Sequence, residues 1–261
     1  MTPNPSANVW LRCPQPRPQA RLRLFCFPYA GGGAAAYRTW PNHLPGDVEV
    51  CAIQLPGRDE RLGETPYSDL VTLLEALAEG LAPRLEAPYA VFGHSLGALL
   101  AYELVRHQRR RGGNLPVHLF VSARRAPHVP SREPPCHLLP EQAFIQALVR
   151  RYNGIPQAIL AEPAVMRLFL PVLRADFSVM ETYRFVAEDP LDQAITAFGG
   201  LDDQVVSRAD LETWRMTTRG ECAIHMIPGG HFFLQTAPTA LLDVIARQLV
   251  DGIDSGAATQ R

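Results

Sequence analysis

A serine, a pair of aspartates and a histidine are spaced along this 261-residue chain so that each falls just beyond an apolar run. Ser95 sits in Gly93-His94-Ser95-Leu96-Gly97, between the apolar Tyr89-Ala90-Val91-Phe92 and the helix-forming Ala98-Leu99-Leu100-Ala101-Tyr102-Glu103-Leu104. A short strand turning sharply into a helix is the setting in which G-x-S-x-G exposes a nucleophilic hydroxyl, the glycines relieving crowding at a strained turn. A serine hydroxyl is a poor nucleophile until a base takes its proton, and that base needs an acid to fix its tautomer. Phe198-Gly199-Gly200-Leu201-Asp202-Asp203 places two carboxylates beyond one later strand, and Ile227-Pro228-Gly229-Gly230-His231-Phe232 places an imidazole beyond another. Asp202, the first carboxylate after the glycines, lies nearer the strand end and is assigned as the acid. Asp203 competes for that role; its other reading is to cap the following helix or face water.

The chain order Ser95, Asp202, His231 is the one expected of an α/β-hydrolase. Acyl transfer also requires donors for a developing oxyanion, normally one amide after the nucleophile and one from the loop after an early strand. Those are Leu96 and a residue of Tyr29-Ala30-Gly31-Gly32, with Ala30 the first choice. A phosphate-binding role for these glycines is disfavoured, because neither G-x-G-x-x-G nor a GK[ST] ending is present. Of the other histidines, His225 lies within a strand and reads as a half-buried structural imidazole. His94 reads as an orienting or packing residue, since adjacent side chains at a turn point apart. His43, His107, His118, His128 and His137 have no matching acid or glycine turn.

Elements that could hold these residues follow from periodicity. Strands are predicted over residues 22–27, 48–55, 89–92, 117–122, 194–198 and 222–227. Helices are predicted over 36–43, 68–85 with Ser68 as N-cap, 98–111, 208–217 and 237–250. This alternation describes a mostly parallel sheet with helices on both faces. Residues 127–189 break the pattern with helical runs at 140–152 and 163–183, read as a cap inserted over the strand ends. Residues 1–20, with five prolines, read as a leader; 21–251 as one α/β-hydrolase domain; and 252–261 as a disordered tail.

Composition narrows the chemistry. A formal net charge of −1 gives no electrostatic case for nucleic acid or an anionic membrane as partner. Five scattered cysteines without CxxC spacing indicate neither a disulfide framework nor a zinc site; Cys26, Cys51 and Cys222 read as buried thiols. No signal-peptide pattern or bilayer-length apolar run is present, and a cytoplasmic protein is expected.

Several runs together carry a resemblance. Phe27-Pro28-Tyr29-Ala30-Gly31-Gly32-Gly33, Leu55-Pro56-Gly57-Arg58, the Ser95 pentapeptide, Leu173-Arg174-Ala175-Asp176-Phe177 and Pro228-Gly229-Gly230-His231-Phe232 resemble the signature runs of type II thioesterases, the stand-alone editing hydrolases of nonribosomal peptide and polyketide synthases. One departure is visible: many relatives carry proline just after the catalytic aspartate, where this chain has Asp203. The resemblance implies hydrolysis of wrong or stalled acyl groups from the phosphopantetheine arm of carrier proteins. It implies Ser95 as nucleophile, His231 as base, the Ala30 and Leu96 amides as oxyanion donors, no metal or organic cofactor, and a monomer. Arg58 is read as a rim residue or a structural ion-pair partner, and Asp176 as a helix-surface acid or entrance residue. Arg106, Arg109, Arg110 and Arg111, and Arg124-Arg125, are read as dipole-complementing or solvated cations before carrier-docking ones. Two other readings remain: a carboxylesterase or lipase on the same fold, and a non-catalytic binding protein.

Overall fold

The computed structural model describes residues 8–86, 88–152, 154 and 160–258. Among them, β1 (Leu11–Arg12), β2 (Leu22–Phe27), β3 (Val48–Ile53), β4 (Tyr89–His94), β5 (His118–Ser122), β6 (Ala194–Gly200) and β7 (Cys222–Ile227) form one sheet in the order β1-β3-β2-β4-β5-β6-β7. Every pairing is parallel except that of β1 with β3. Side chains alternate between two buried faces. Phe25, Val91 and Leu119 pack with α1 (Leu70–Leu81) and α2 (Leu96–Arg110). Leu24, Phe92 and Phe120 pack on the other face with α7 (Pro238–Ala258). Burial on both faces is why these strands are nearly all apolar.

The expected cap is present as α3 (Glu141–Tyr152) and α4 (Pro163–Thr182). It has its own core, in which Cys136, Phe144, Leu148, Met166 and Leu170 meet Phe177. The short helices α5 (Arg208–Glu212) and α6 (Phe233–Thr236) follow β6 and β7 respectively.

Several boundaries differ from expectation, each for a local reason. Residues 36–43 form two 3-10 turns, Ala34–Tyr37 and Trp40–Asn42, because Pro41 cannot donate to a continuous helix. Helix α1 is capped by Asp69, whose carboxylate accepts from the Thr72 amide, and not by Ser68. The leader is not wholly outside the domain, since β1 covers the otherwise open edge of β3. That brings Cys13 to Cys51, with their sulfurs 3.4 Å apart. Helix α7 continues to Ala258, so residues 252–258 are helical where a disordered tail was expected, and residues 259–261 lie outside the described range.

Candidate active site

The parallel strands all end on the same side of the sheet, and the loops leaving β2, β4, β6 and β7 meet there. The sheet order changes direction between β2 and β4, where ligands of open parallel sheets bind. Ser95 stands at that point, between the end of β4 and the start of α2. Its backbone has φ +55° and ψ −109°, a strained conformation for a residue with a Cβ and the hallmark of a nucleophile elbow. The Ser95 amide donates to Ser122 O at 2.8 Å, which fixes the turn against β5. The flanking glycines are steric requirements: a Cβ on Gly93 would lie 2.1 Å from Gly97 O, and one on Gly97 would lie 2.1 Å from Phe27 O.

His231 Nε2 lies 3.2 Å from Ser95 Oγ, and His231 Nδ1 lies 2.9 Å from Asp203 Oδ2. A carboxylate accepts, so Nδ1 carries the proton and Nε2 is left to accept from the serine hydroxyl. The Asp203 side chain is fully buried, and its other oxygen accepts from the amides of Val205, at 2.8 Å, and Val206.

The acid is therefore placed differently from the expectation of Asp202. Strand β6 runs on to Gly200, two residues beyond the predicted end at Phe198. Leu201 and Asp202 then form the turn, their amides bonded to Ile227 O and Gly229 O, and the Asp202 side chain is exposed. Asp203 is the first carboxylate able to turn inward. Neither of its alternative readings holds, since it is buried and helix α5 is capped by Ser207.

Leu96 is the first residue of α2, so its N–H has no carbonyl partner within the helix and stands next to the nucleophile. Ala30 lines the same cavity as Ser95, in the loop after β2. The neighbouring Gly31 amide is already committed, donating to Asp176 Oδ2 at 2.7 Å. Leu96 thus follows the nucleophile directly, and Ala30 lines the Ser95 cavity from across the switch point.

His94 is an orienting residue and Arg58 an ion-pair partner, as expected, but their partners and the place of Tyr152 come only from the fold. His94 is buried beneath the site, with Nε2 2.9 Å from His231 O and Nδ1 2.9 Å from Ser122 Oγ. A carbonyl only accepts, so Nε2 donates and Nδ1 accepts from the serine. Burial, reinforced by the nearby His231, holds the His94 pKa well below the ordinary histidine range, which keeps the ring neutral for that pattern. Asp176 is not on the helix surface: it is 2% exposed, and its carboxylate takes a two-point contact from Arg58 with both N···O distances 2.9 Å. Arg58 also donates to Gly32 O at 3.0 Å, so the pair joins α4 to the loop carrying Ala30. Tyr152, at the end of α3, packs edge-on against the His231 ring at a centroid distance of 5.0 Å. Arg58 and Asp176 are 118 positions apart, and no periodicity links them. Their joint presence in the signature runs was the one available signal.

The arginines considered for docking are largely occupied. Arg106, Arg109 and Arg110 all pair with Glu188, and Arg125 bonds Val205 O and approaches Asp210. Arg124 differs: among the described residues its Nε is buried without a hydrogen-bond partner, and burial pulls its pKa down to about 10. His225, in β7, is half-buried as expected.

Two cavities converge on Ser95 and His231. One of about 220 Å³ is walled chiefly by apolar cap residues, among them Leu148, Phe169, Leu173 and Met180. The other, of about 520 Å³, mixes apolar residues such as Val129, Phe177 and Phe185 with charged ones, Arg124, Arg151 and Glu181 among them, which the first cavity lacks. An activated serine between an uncharged chamber and one that carries charged side chains is suited to cleaving an acyl group from a polar carrier.

Comparison with known proteins agrees with this geometry. The model of the thioesterase domain family matches residues 22–249. The chain is 44% identical over 242 residues to the gramicidin S biosynthesis protein GrsT of Aneurinibacillus migulanus, covering 93% of this chain and 94% of that one. It is similar in structure to RedJ, a thioesterase from the prodiginine pathway in Streptomyces coelicolor, with TM-score 0.82, 41% identity and coverage of 89% and 87%. It is also similar to BorB, the type II thioesterase from the borrelidin biosynthetic cluster, with TM-score 0.81, 34% identity and coverage of 92% and 96%.

Proposed function

The chain belongs to the thioesterase family, and from that premise we propose that it is a stand-alone editing enzyme that hydrolyses aberrant or stalled acyl groups from carrier proteins of a nonribosomal peptide or polyketide synthase. The observation carrying this reading is Ser95 Oγ, 3.2 Å from His231 Nε2, at the junction of an apolar cavity and a larger one that also bears charged side chains. The apolar cavity takes the acyl chain. The phosphopantetheine arm, with its amides and hydroxyl, lies in the larger one, where Arg124 offers donors to its carbonyls.

In the proposed reaction Ser95 Oγ attacks the thioester carbon as His231 Nε2 takes its proton. The carbonyl oxygen becomes an oxyanion held by the Ala30 and Leu96 amides. Collapse breaks the C–S bond, and the departing thiolate recovers its proton from His231. Water then attacks the acyl-serine, with His231 again as base, and releases the free acid and Ser95. Asp203 holds the tautomer and stabilises the imidazolium in both halves. A thiolate is reachable near neutral pH, so little acid assistance is required at the leaving group. Every charge that develops has a named partner in this scheme, and it includes no metal or organic cofactor. The reading places the enzyme in the cytoplasm as a monomer whose partners are carrier domains, without nucleic acid or membrane. Separately, no described helix is long and apolar enough to cross a membrane.

The test is turnover of acyl-loaded carrier protein against free esters of equal chain length. Carrier thioesters should be strongly preferred, and Ser95→Ala should abolish release with the fold intact by circular dichroism. A preference for free esters would favour a general carboxylesterase instead.

A further inference from the structure

At the sheet edge, separated from β4 by β3 and β2, two thiols face each other across antiparallel strands. The register Leu11↔Ile53 and Arg12↔Ala52, carried one residue further, sets Cys13 opposite Cys51. The Gln54 amide donates to Trp10 O at 2.8 Å, so residues 10 and 54 are a hydrogen-bonded pair. Pair types alternate along an antiparallel ladder, which makes 12/52 hydrogen-bonded and 13/51 not. Non-hydrogen-bonded partners stand about 4.5 Å apart at Cα, within the roughly 4.4–6.8 Å a disulfide requires. The sulfurs are already 3.4 Å apart, and side-chain rotation closes the remainder.

Glu49 lies near both sulfurs, so the three side chains could also be considered as metal ligands. Its carboxylate is, however, already held by Arg23 Nε at 3.2 Å, Arg84 Nη2 at 3.3 Å and the Arg17 amide at 3.0 Å. Two guanidiniums beside it disfavour a further cation and leave the thiols for chemistry with each other.

We propose that Cys13 and Cys51 are a redox modification site, closing reversibly to a disulfide that fastens β1 to β3. The oxidant class is a low-molecular-weight disulfide such as oxidised glutathione. Cys13 is the half-buried, approachable thiol, and its pKa is lowered chiefly by the hydrogen bond from Cys51. Its thiolate attacks one sulfur of the small disulfide, breaking that S–S bond and releasing one glutathione thiolate. Cys51 then loses its proton and attacks the Cys13 sulfur of the mixed disulfide, releasing the second glutathione. Two protein thiols are oxidised, one glutathione disulfide is reduced to two thiols, and the protons balance. The closed loop encloses β2 and the segment that carries Ala30.

The experiment is titration of the full-length protein with oxidised glutathione, followed by intact-mass and non-reducing peptide mapping. The expected result is loss of two hydrogens and a cross-linked peptide pair containing Cys13 and Cys51, reversed by dithiothreitol. Closing the loop should raise Tm by roughly 5 °C. Cys13→Ser should lose both cross-link and Tm gain while keeping the activity of the reduced wild type. A stable glutathione adduct on Cys13 without cross-link would overturn the proposal, as would bridging through Cys26, Cys136 or Cys222. So would one Zn²⁺ per reduced chain, lost in Cys13→Ser, because the pair would then be a metal site.

Discussion

Asp202 and Asp203 are adjacent carboxylates with opposite fates, and the difference is two residues of strand. Asp203 is enclosed against His231 Nδ1, whereas Asp202 is exposed on a turn that bonds through its backbone. Asp203→Asn should lower kcat on an acyl-carrier substrate by on the order of 10⁴-fold, because the amide favours the wrong tautomer. Asp202→Asn should change it by less than about threefold, as a surface substitution does; equal losses in the two variants would contradict the placement. Ser95 and His231 were legible because each sits in a glycine turn just past a strongly apolar strand. The acid was not, since sequence places strand ends only to within a few residues and a one-residue error exchanges inward for outward. His94 illustrates a different limit: its partners, Ser122 and the His231 carbonyl, come from other strands.

Among the elements, the strands and the two cap helices were legible from periodicity, with α3 and α4 matching their predicted ranges to within one residue. What periodicity could not supply was how the cap attaches. A polar residue on a helix reads as solvent-facing, yet Asp176 is enclosed because α4 crosses the loop after β2 and brings it to Arg58. Removing one partner of such a buried pair leaves an uncompensated charge, so Asp176→Leu should destabilise the fold by about 3–5 kcal/mol in urea unfolding. The double variant Arg58→Met, Asp176→Leu should recover much of that stability. Its kcat should nonetheless stay low, because the Gly31 amide has lost its anchor and the Ala30 loop is no longer held. Recovery of both quantities together would assign the pair to stability alone. The short edge strand β1 escaped prediction because two residues display no period.

For the whole molecule, one sheet, parallel from β3 to β7 and buried on both faces, explains how residues far apart in the chain become neighbours, since each of those strands ends at the same edge. It also encloses an imidazole away from the site. His118 is buried in β5, stacks on Phe120 and lies 2.8 Å from Thr196 Oγ1. Burial lowers its pKa from 6.5 to about 4. The unfolded chain therefore binds a proton on this ring at higher pH than the folded chain does. Stability is unaffected by this group above pH 6.5 and is lost as pH falls from 6.5 towards 4. The loss should reach up to about 3 kcal/mol. Urea midpoints measured across that window should fall less steeply in His118→Gln than in wild type, and parallel curves would show that other groups dominate the acid response.

The carboxylate that joins α4 to the loop after β2 has one more consequence. Its acceptance of the Gly31 N–H ties a single exchangeable proton to the seating of the cap. Solvent can replace that proton only when the helix lifts from the loop, so its hydrogen-exchange rate is a clock for cap opening. That clock runs without substrate, label or catalysis, and it reads the motion beside the amide proposed to hold the oxyanion.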